Sequence, residues 1–257
     1  MDAGKAYAIA AKDMKETFSS ISIYGPMLGV PLFFAFVLPI LTYYVTKYAA
    51  PAIASRFLQN AVGAAASNSY AFMSFFSIDV LGPIFMTLPI ITASVIAADS
   101  FAGEKERKTS EALLTMPVSN AEFMAGKILA SFIPTILLTL LVFGIYGNIT
   151  NYLSLMQFGT NIIPNLRWVM MLCLAPFLAL ATIGVVVLVS SHVKGIKEAQ
   201  QISTLLILPL LAMPFMAIFG IADLTFSFFL ETMLVVALLD AAIIYIGIKK
   251  FNKEKLL

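Results

Sequence analysis

The chain has 257 residues, of which 60% are hydrophobic and 12% are charged, and its formal net charge is +2. Soluble domains are about half apolar and about a quarter charged, so this composition excludes an ordinary soluble globular protein and indicates a membrane protein. The sequence has no basic stripe with interleaved aromatic residues, so it gives no indication of nucleic-acid binding. With one Cys and one His, it also lacks the ligand spacing of a metal site.

Residues 5–18 are predicted to form a helix that lies in the cytoplasmic surface of the membrane. Apolar residues recur there at helical spacing, and a polar side opposes them. The apolar residues are Tyr7, Ala10, Met14 and Phe18, and the polar ones are Lys12, Asp13, Lys15 and Glu16. A plain cytoplasmic helix end is the alternative interpretation.

Six apolar runs are each long enough to cross a bilayer as a helix. They cover about residues 23–44, 80–98, 128–147, 168–190, 202–220 and 226–248. The connections 47–78 and 148–165 are predicted to lie outside, the first with short helices on the outer surface. The short alternating segments of a membrane β-barrel do not occur. We therefore expect an all-α fold, a single polytopic membrane domain over residues 1–257.

The distribution of cations predicts the orientation, because Lys and Arg are enriched in cytoplasmic loops. With both termini inside, 13 of the 16 Lys and Arg residues are cytoplasmic, and only Lys47, Arg56 and Arg167 lie outside. The predicted location is a plasma membrane, crossed several times, with both termini in the cytoplasm. The loop between the second and third spans is then cytoplasmic.

That loop contains the most charged stretch of the chain, DSFAGEKERKTSEALLTMPVSNAEFMAGK over residues 99–127. Its first part is predicted to be a helix over 103–116, in which Glu104, Lys108 and Glu111 have the spacing of paired charges. Pro117 ends this helix. Ser119 and Glu122 then have the spacing of a capping box that starts the next helix. The pattern predicts a helix, a sharp corner and a second helix that enters span three.

The same stretch carries a recognisable combination of residues. Acidic residues follow span two, then come a Thr-x-Glu-x-Leu-Leu step, a Pro-Val-Ser corner and a Gly-Lys pair that opens span three. The residues are Glu104, Glu106, Thr109, Glu111, Leu113, Leu114, Pro117, Val118, Ser119, Gly126 and Lys127. This pattern resembles the signature of the type-2 permease family of ABC transporters. The chain departs from it at Ser110, where many members have a small glycine-like step.

The resemblance implies the membrane half of an exporter-like ABC complex. Two permease subunits, identical or related, would pair in the lipid membrane, and two separate ATPase subunits would dock from the cytoplasm. The segment 99–126 would contain the coupling helix. The residues expected to couple to the ATPase are Glu104, Glu106, Lys108, Glu111, Leu113, Leu114, Pro117 and Ser119. Residues 5–18 and 194–200 would provide further cytoplasmic contacts.

The chain itself has no run of the P-loop type, Gly-x4-Gly-Lys-Ser/Thr. It also lacks the Gly-x-Ser-x-Gly elbow of a hydrolase, and a single His offers little scope for a catalytic pair. We therefore expect no catalytic site and no cofactor in this chain. The resemblance implies that the partner ATPases bind ATP and Mg²⁺.

Two carboxylates in the last span are candidates for a translocation path. Asp240 falls near the middle of the apolar run, where a carboxylate costs a few kcal/mol and normally faces the helix bundle or a partner. Glu231 lies closer to the outer surface. A structural hydrogen bond of Asp240 is the alternative.

Two other functions remain open from the sequence. The chain could be a membrane scaffold that uses an ATPase for mechanical signalling without transport. It could also be an ion-coupled secondary transporter, for which Asp240 is the support. The resemblance leaves the substrate open.

Overall fold

The computed structural model describes residues 3–19, 21–49, 68–107, 118–190, 192–193, 195–219, 221 and 224–250. These residues form helices and no β-strand, which confirms the predicted all-α fold. The helices are α1 (Ala3–Ser19), α2 (Ile21–Tyr44), α3 (Ser69–Phe75), α4 (Leu81–Phe85), α5 (Thr87–Glu106), α6 (Asn120–Phe158), α7 (Leu166–Ser190), α8 (Ile196–Thr204), α9 (Ile207–Ile218) and α10 (Phe226–Lys250).

Six helical segments of the described residues are long and apolar enough to cross a membrane, as predicted. They are Met27–Tyr48, Ser69–Glu104, Ala121–Phe158, Leu166–Ser190, Ile196–Ile218 and Phe226–Ile243. We number them spans one to six. Spans four to six begin and end close to the predicted positions, whereas spans two and three are much longer than predicted.

Span three extends well past its predicted end at residue 147. Helix α6 has 39 residues and ends only at Gly159, whose φ of 72° is the left-handed conformation of a C-cap. The Asn148 side chain donates to the Gly144 carbonyl at 2.8 Å and so stays compatible with the helix. The second outer connection therefore covers residues 159–165 rather than 148–165. At about 1.5 Å per residue, this helix is longer than the hydrocarbon core and extends beyond it.

Span two starts earlier than predicted, at Ser69 instead of residue 80. Helices α3, α4 and α5 follow one another along it, and Phe76–Val80 forms a π-helical turn between α3 and α4. Residues 50–67 of the predicted outer connection lie outside the described residues. Asp79 is buried, and its Oδ1 accepts from Arg167 Nη1 at 2.6 Å. A cation at the start of α7 therefore compensates this buried carboxylate.

The centre of the bundle is span two, and span six is at its edge. In the most apolar window of each span, 83% of residues are buried in span two and 11% in span six. At the end of the bundle where span four begins, the rings of Phe85, Phe143, Tyr146 and Trp168 contact one another. The Tyr146 hydroxyl donates to the Ser77 carbonyl at 3.1 Å, so its polar end is satisfied inside this core. These contacts join spans two, three and four.

Candidate functional site

Helix α1 lies against the start of span three, and one of its faces is buried. That face consists of Ala6, Ala10, Asp13 and Thr17. Tyr7 and Phe18 are 68% and 47% exposed, and they leave an apolar stripe on the outside of the helix, as in helices at a membrane surface. The structure therefore confirms a helix here, while its place at the cytoplasmic surface of the membrane stays a prediction. The predicted polar side is wrong at Asp13, which is 7% exposed, and the predicted apolar side is wrong at Ala10, which packs inside the protein.

Gly126 allows α1 and α6 to approach closely. A Cβ atom at this position would lie 2.7 Å from the Ala6 carbonyl oxygen and 2.8 Å from Cβ of Ile9. Both contacts are shorter than real Cβ atoms make, and the first is with backbone, which cannot move aside cheaply. The glycine of the Gly-Lys pair thus has a packing function.

Lys127, the second residue of that pair, is 1% exposed and lies between two carboxylates. Its Nζ is 2.8 Å from Oε1 of Glu104 at the end of span two and 3.4 Å from Oδ2 of Asp13 on α1. The same ammonium donates to the Ser100 carbonyl and, at 3.3 Å, to Ser100 Oγ. Ser100 Oγ in turn donates to Asp13 Oδ2 at 2.6 Å. We call Asp13, Ser100, Glu104 and Lys127 the ion cluster.

The ion cluster joins three elements that are distant in sequence. Burying a single charge is costly unless it is paired and hydrogen-bonded, and breaking a buried pair leaves an uncompensated charge. The rings of Phe101 and Phe123 lie 5.3 Å and 5.0 Å from Nζ of Lys127, within the range of cation–π contact. The contacts of Lys127 with Asp13, Ser100 and Glu104 therefore hold α1, the C-terminal end of span two and the start of span three together.

Two members of the ion cluster, Glu104 and Lys127, lie on either side of the middle of the charged stretch, residues 108–117. Helix α5 ends at Glu106, Arg107 follows as a turn, and the chain is described again from Val118. Lys108, Glu111, Leu113, Leu114 and Pro117 lie outside the described residues, so the predicted helix over 103–116 is described only in its first residues. Glu104 is bound to Lys127, and its predicted role toward an ATPase stays a prediction, as do those of the other coupling residues.

Arg107 and Glu106 make two further contacts at this end of span two. Nη1 of Arg107 donates to Oδ1 of Asp99 at 3.0 Å. Burial lowers the pKa of the Arg107 guanidinium, but the hydrogen bond and the charge of Asp99 raise that pKa above its usual value. Oε2 of Glu106 accepts from the backbone N–H of Ile196 at 2.9 Å, at the first residue of α8. The charged stretch is thus connected to the first residue of span five.

The predicted capping box is confirmed at the other end of the segment. Ser119 Oγ accepts from the Glu122 N–H at 3.3 Å, and Glu122 Oε2 accepts from the Ser119 N–H at 2.9 Å. Val118 and Ile9 pack on Phe123, so an apolar contact of the staple type flanks the cap and includes α1. Ser119 therefore has a structural function that is independent of any partner.

We predict that Ser119→Ala destabilises the start of α6 by about 1 kcal/mol, because one N-terminal N–H of the helix loses its acceptor. The thermal unfolding of the purified chain would measure this loss. Ser19→Ala is the matched control, since the Ser19 hydroxyl is exposed and only donates within α1. If the two variants unfold alike, the cap does not contribute as described.

The structure separates the two carboxylates proposed for a translocation path. They lie nine residues apart on α10, about 180° around a helix. Glu231 is exposed, whereas Asp240 is 5% exposed, and neither of its carboxylate oxygens has a hydrogen-bond partner among the described residues. Asp240 therefore faces the bundle, on the side where Ile243 contacts Gly184 of span four. A transport role of either residue stays a prediction.

Sequence reasoning missed the internal partners of this site. The contacts of Asp13 and Ser100 with Lys127 were not predicted, and neither was the ion pair between Asp99 and Arg107. A signal was present on α1, because Ala6, Ala10, Asp13 and Thr17 recur at steps of three or four residues and most are small. Small residues along one face permit close helix packing, and an acid on such a face needs a cation opposite it.

The six apolar helices define a multi-pass α-helical membrane protein. Residues 49–239, most of the chain, match the family described as ABC-2 family transporter protein. The chain therefore belongs to the ABC-2 transporter family, which confirms the predicted resemblance to a permease. None of the curated proteins matches the chain at a significant level.

Proposed function

We propose that this chain is the permease subunit of an ATP-driven, exporter-like transporter. Separate ATPase subunits, two per complex, bind ATP and Mg²⁺ and dock on the cytoplasmic segment 99–126. Two permease subunits, identical or related, form the membrane part. The complex lies in the plasma membrane, and both termini of this chain are on the cytoplasmic side. Family membership supports this assignment.

The ion cluster is the observation that favours a force-transmitting role for the segment. A loop that only connects two spans needs no buried ion pairs at its base. Here Glu104 precedes residues 108–117 and Lys127 follows them, and the two charges lie 2.8 Å apart in a buried site. A displacement of the segment would therefore move the inner ends of spans two and three, and α1, as one unit. Closure of the ATPases would supply that displacement.

We expect a gene for a P-loop ATPase beside the gene of this chain, and co-purification with that ATPase tests the proposal. The ATPase should purify with the full chain and with Lys47→Ala, an exposed residue at the predicted outer side. It should be lost from the double variant Leu113→Asp and Leu114→Asp, because these leucines are the apolar residues expected to couple to the ATPase. ATP-dependent uptake of labelled compounds into inverted vesicles then distinguishes a transporter from a signalling scaffold. An ATPase that does not bind the wild-type chain would contradict the proposal.

Ion-coupled transport is the second candidate, and burial of Asp240 favours it. A carboxylate without a hydrogen-bond partner among the described residues is costly inside a membrane and marks ion or proton paths in other transporters. We predict that Asp240→Asn lowers transport in the vesicle assay, whereas Ser227→Ala, at an exposed position of the same helix, leaves it unchanged. If ATP drives uptake equally in both variants and in the wild type, the ion-coupled candidate and the path role of Asp240 both fail.

A further inference from the structure

Helix α8 is attached to the inner half of span two at both of its ends. At its N-terminus, Oε2 of Glu106 accepts from the Ile196 N–H at 2.9 Å. Near its C-terminus, the hydroxyls of Ser94 and Ser203 lie 2.7 Å apart, and both residues are buried. Between these contacts, Ala199 is fully buried in the interface with span two and span four. Helix α8 and the inner half of span two thus form one packed unit.

A side chain at position 195 would compete for space with the Glu106 carboxylate in this contact. A Cβ atom at Gly195 would lie 2.6 Å from Oε2 of Glu106, in the space that the carboxylate occupies. The backbone of Gly195 is extended, so the glycine is needed for space rather than for conformation. A carboxylate at a helix N-terminus also interacts favourably with the helix dipole. These features fit a specific contact between the end of span two and α8.

Helix α8 is the first part of span five and continues into α9 with little interruption. The turn at residues 205 and 206 retains backbone hydrogen bonds, from Leu205 to Ile202 and from Leu206 to Ser203, and the Leu208 N–H donates to Leu205. Helix α9 begins at Ile207, immediately after the turn. A displacement of α8 would therefore pass into α9, the rest of span five, rather than be absorbed by a loose loop.

We propose that Glu106 is a positioning residue that transmits the displacement of the charged segment to span five, through α8. This inference rests on the proposed function, and it gives Glu106 a role inside the permease instead of a direct contact with the ATPase. Span three receives the displacement through the ion cluster, and span five receives it through Glu106. The segment 108–117 then drives two spans that are distant in sequence.

The distance between the outer ends of spans three and five tests this inference. Spin labels are placed at Tyr152 and Ile221, both exposed, in a Cys173→Ser background of the complete permease–ATPase complex. Labelled subunits are diluted with unlabelled ones, so that distances within one subunit dominate. Distances are compared without nucleotide and with ATP and vanadate. ATPase co-purification and ATP hydrolysis are measured on the same samples.

We expect the nucleotide-dependent change in this distance to be present in the wild type and lost in Glu106→Ala, with ATPase binding retained. Glu106→Gln should keep the change, because its amide oxygen still accepts from the Ile196 N–H. Gly195→Ala should behave like Glu106→Ala, since its methyl group displaces the carboxylate. The control is Ser227→Ala, at an exposed position of α10 that is far along the chain from the charged stretch.

Three results would overturn the inference. The distance change could persist in Glu106→Ala, it could be absent from a wild-type complex that hydrolyses ATP, or Glu106→Ala and Glu106→Gln could both lose the ATPase. The last result would make Glu106 a charged docking residue. An ATPase that never binds the wild-type chain is a different failure, because it contradicts the proposed function itself.

Discussion

Replacing Lys127 with Met is expected to destabilise the protein by about 3–5 kcal/mol, because two buried carboxylates would lose their shared counter-charge. Asp13 and Glu104 are 7% and 8% exposed, so water cannot readily replace the ammonium group. The fraction of purified protein that stays monodisperse during a heating series measures the effect. Reduced packing of α1 should accompany the loss of stability, because Asp13 is the charged residue of its buried face.

The matched control for this substitution is Lys12→Met. Lys12 is on α1, forms its ion pair with Glu16 at 3.4 Å, and both side chains are more than half exposed. Exposed pairs contribute about 0–1 kcal/mol, so this variant should unfold close to the wild type. The triple variant Asp13→Asn, Glu104→Gln and Lys127→Met removes all three charges and should recover part of the loss. A stable Lys127→Met protein would show that the ion cluster does not hold the three elements together.

Replacing Gly126 with Val is expected to separate α1 from span three. The new side chain would overlap the Ala6 carbonyl and Ile9, and overpacking of this kind costs about 1–3 kcal/mol. Unlike Lys127→Met, the change leaves every charge in place, so it tests the helix contact alone. Labelling of a Thr17→Cys probe with a polar maleimide, in a Cys173→Ser background, measures exposure of the α1 face, since Thr17 is 2% exposed.

Gly144→Val provides the control for this prediction. Gly144 is on the same helix, and a Cβ atom there would meet nothing within 4 Å. Its valine variant should therefore leave the Thr17→Cys probe protected. Equal labelling in the two variants would mean that close packing at Gly126 does not hold α1 in place. With the first experiment, this comparison separates the contribution of charge from that of shape.

Features that depend on neighbouring residues along the chain were predicted well. The six apolar runs correspond to six candidate spans, since the length of an apolar helix needs no knowledge of its neighbours. The capping box at Ser119 was predicted from its spacing, because both partners lie within one helical turn. The end of α6 was predicted wrongly, because polar residues after 147 suggested a loop although the helical hydrogen bonds continue to Gly159.

Features that depend on long-range contacts needed the tertiary structure. The sequence determined by itself that the chain crosses a membrane, that its most charged segment lies between spans two and three, and that a helix starts after Ser119. Only the tertiary structure decided that Asp13 faces Lys127 across 114 positions and that Glu106 contacts Ile196 across 90. The physical reason is that a charge on a helix can face solvent, lipid headgroups or another helix, and its own sequence pattern is compatible with each. The partner is selected by the packing of whole helices, which at Gly126 depends on the absence of one Cβ atom.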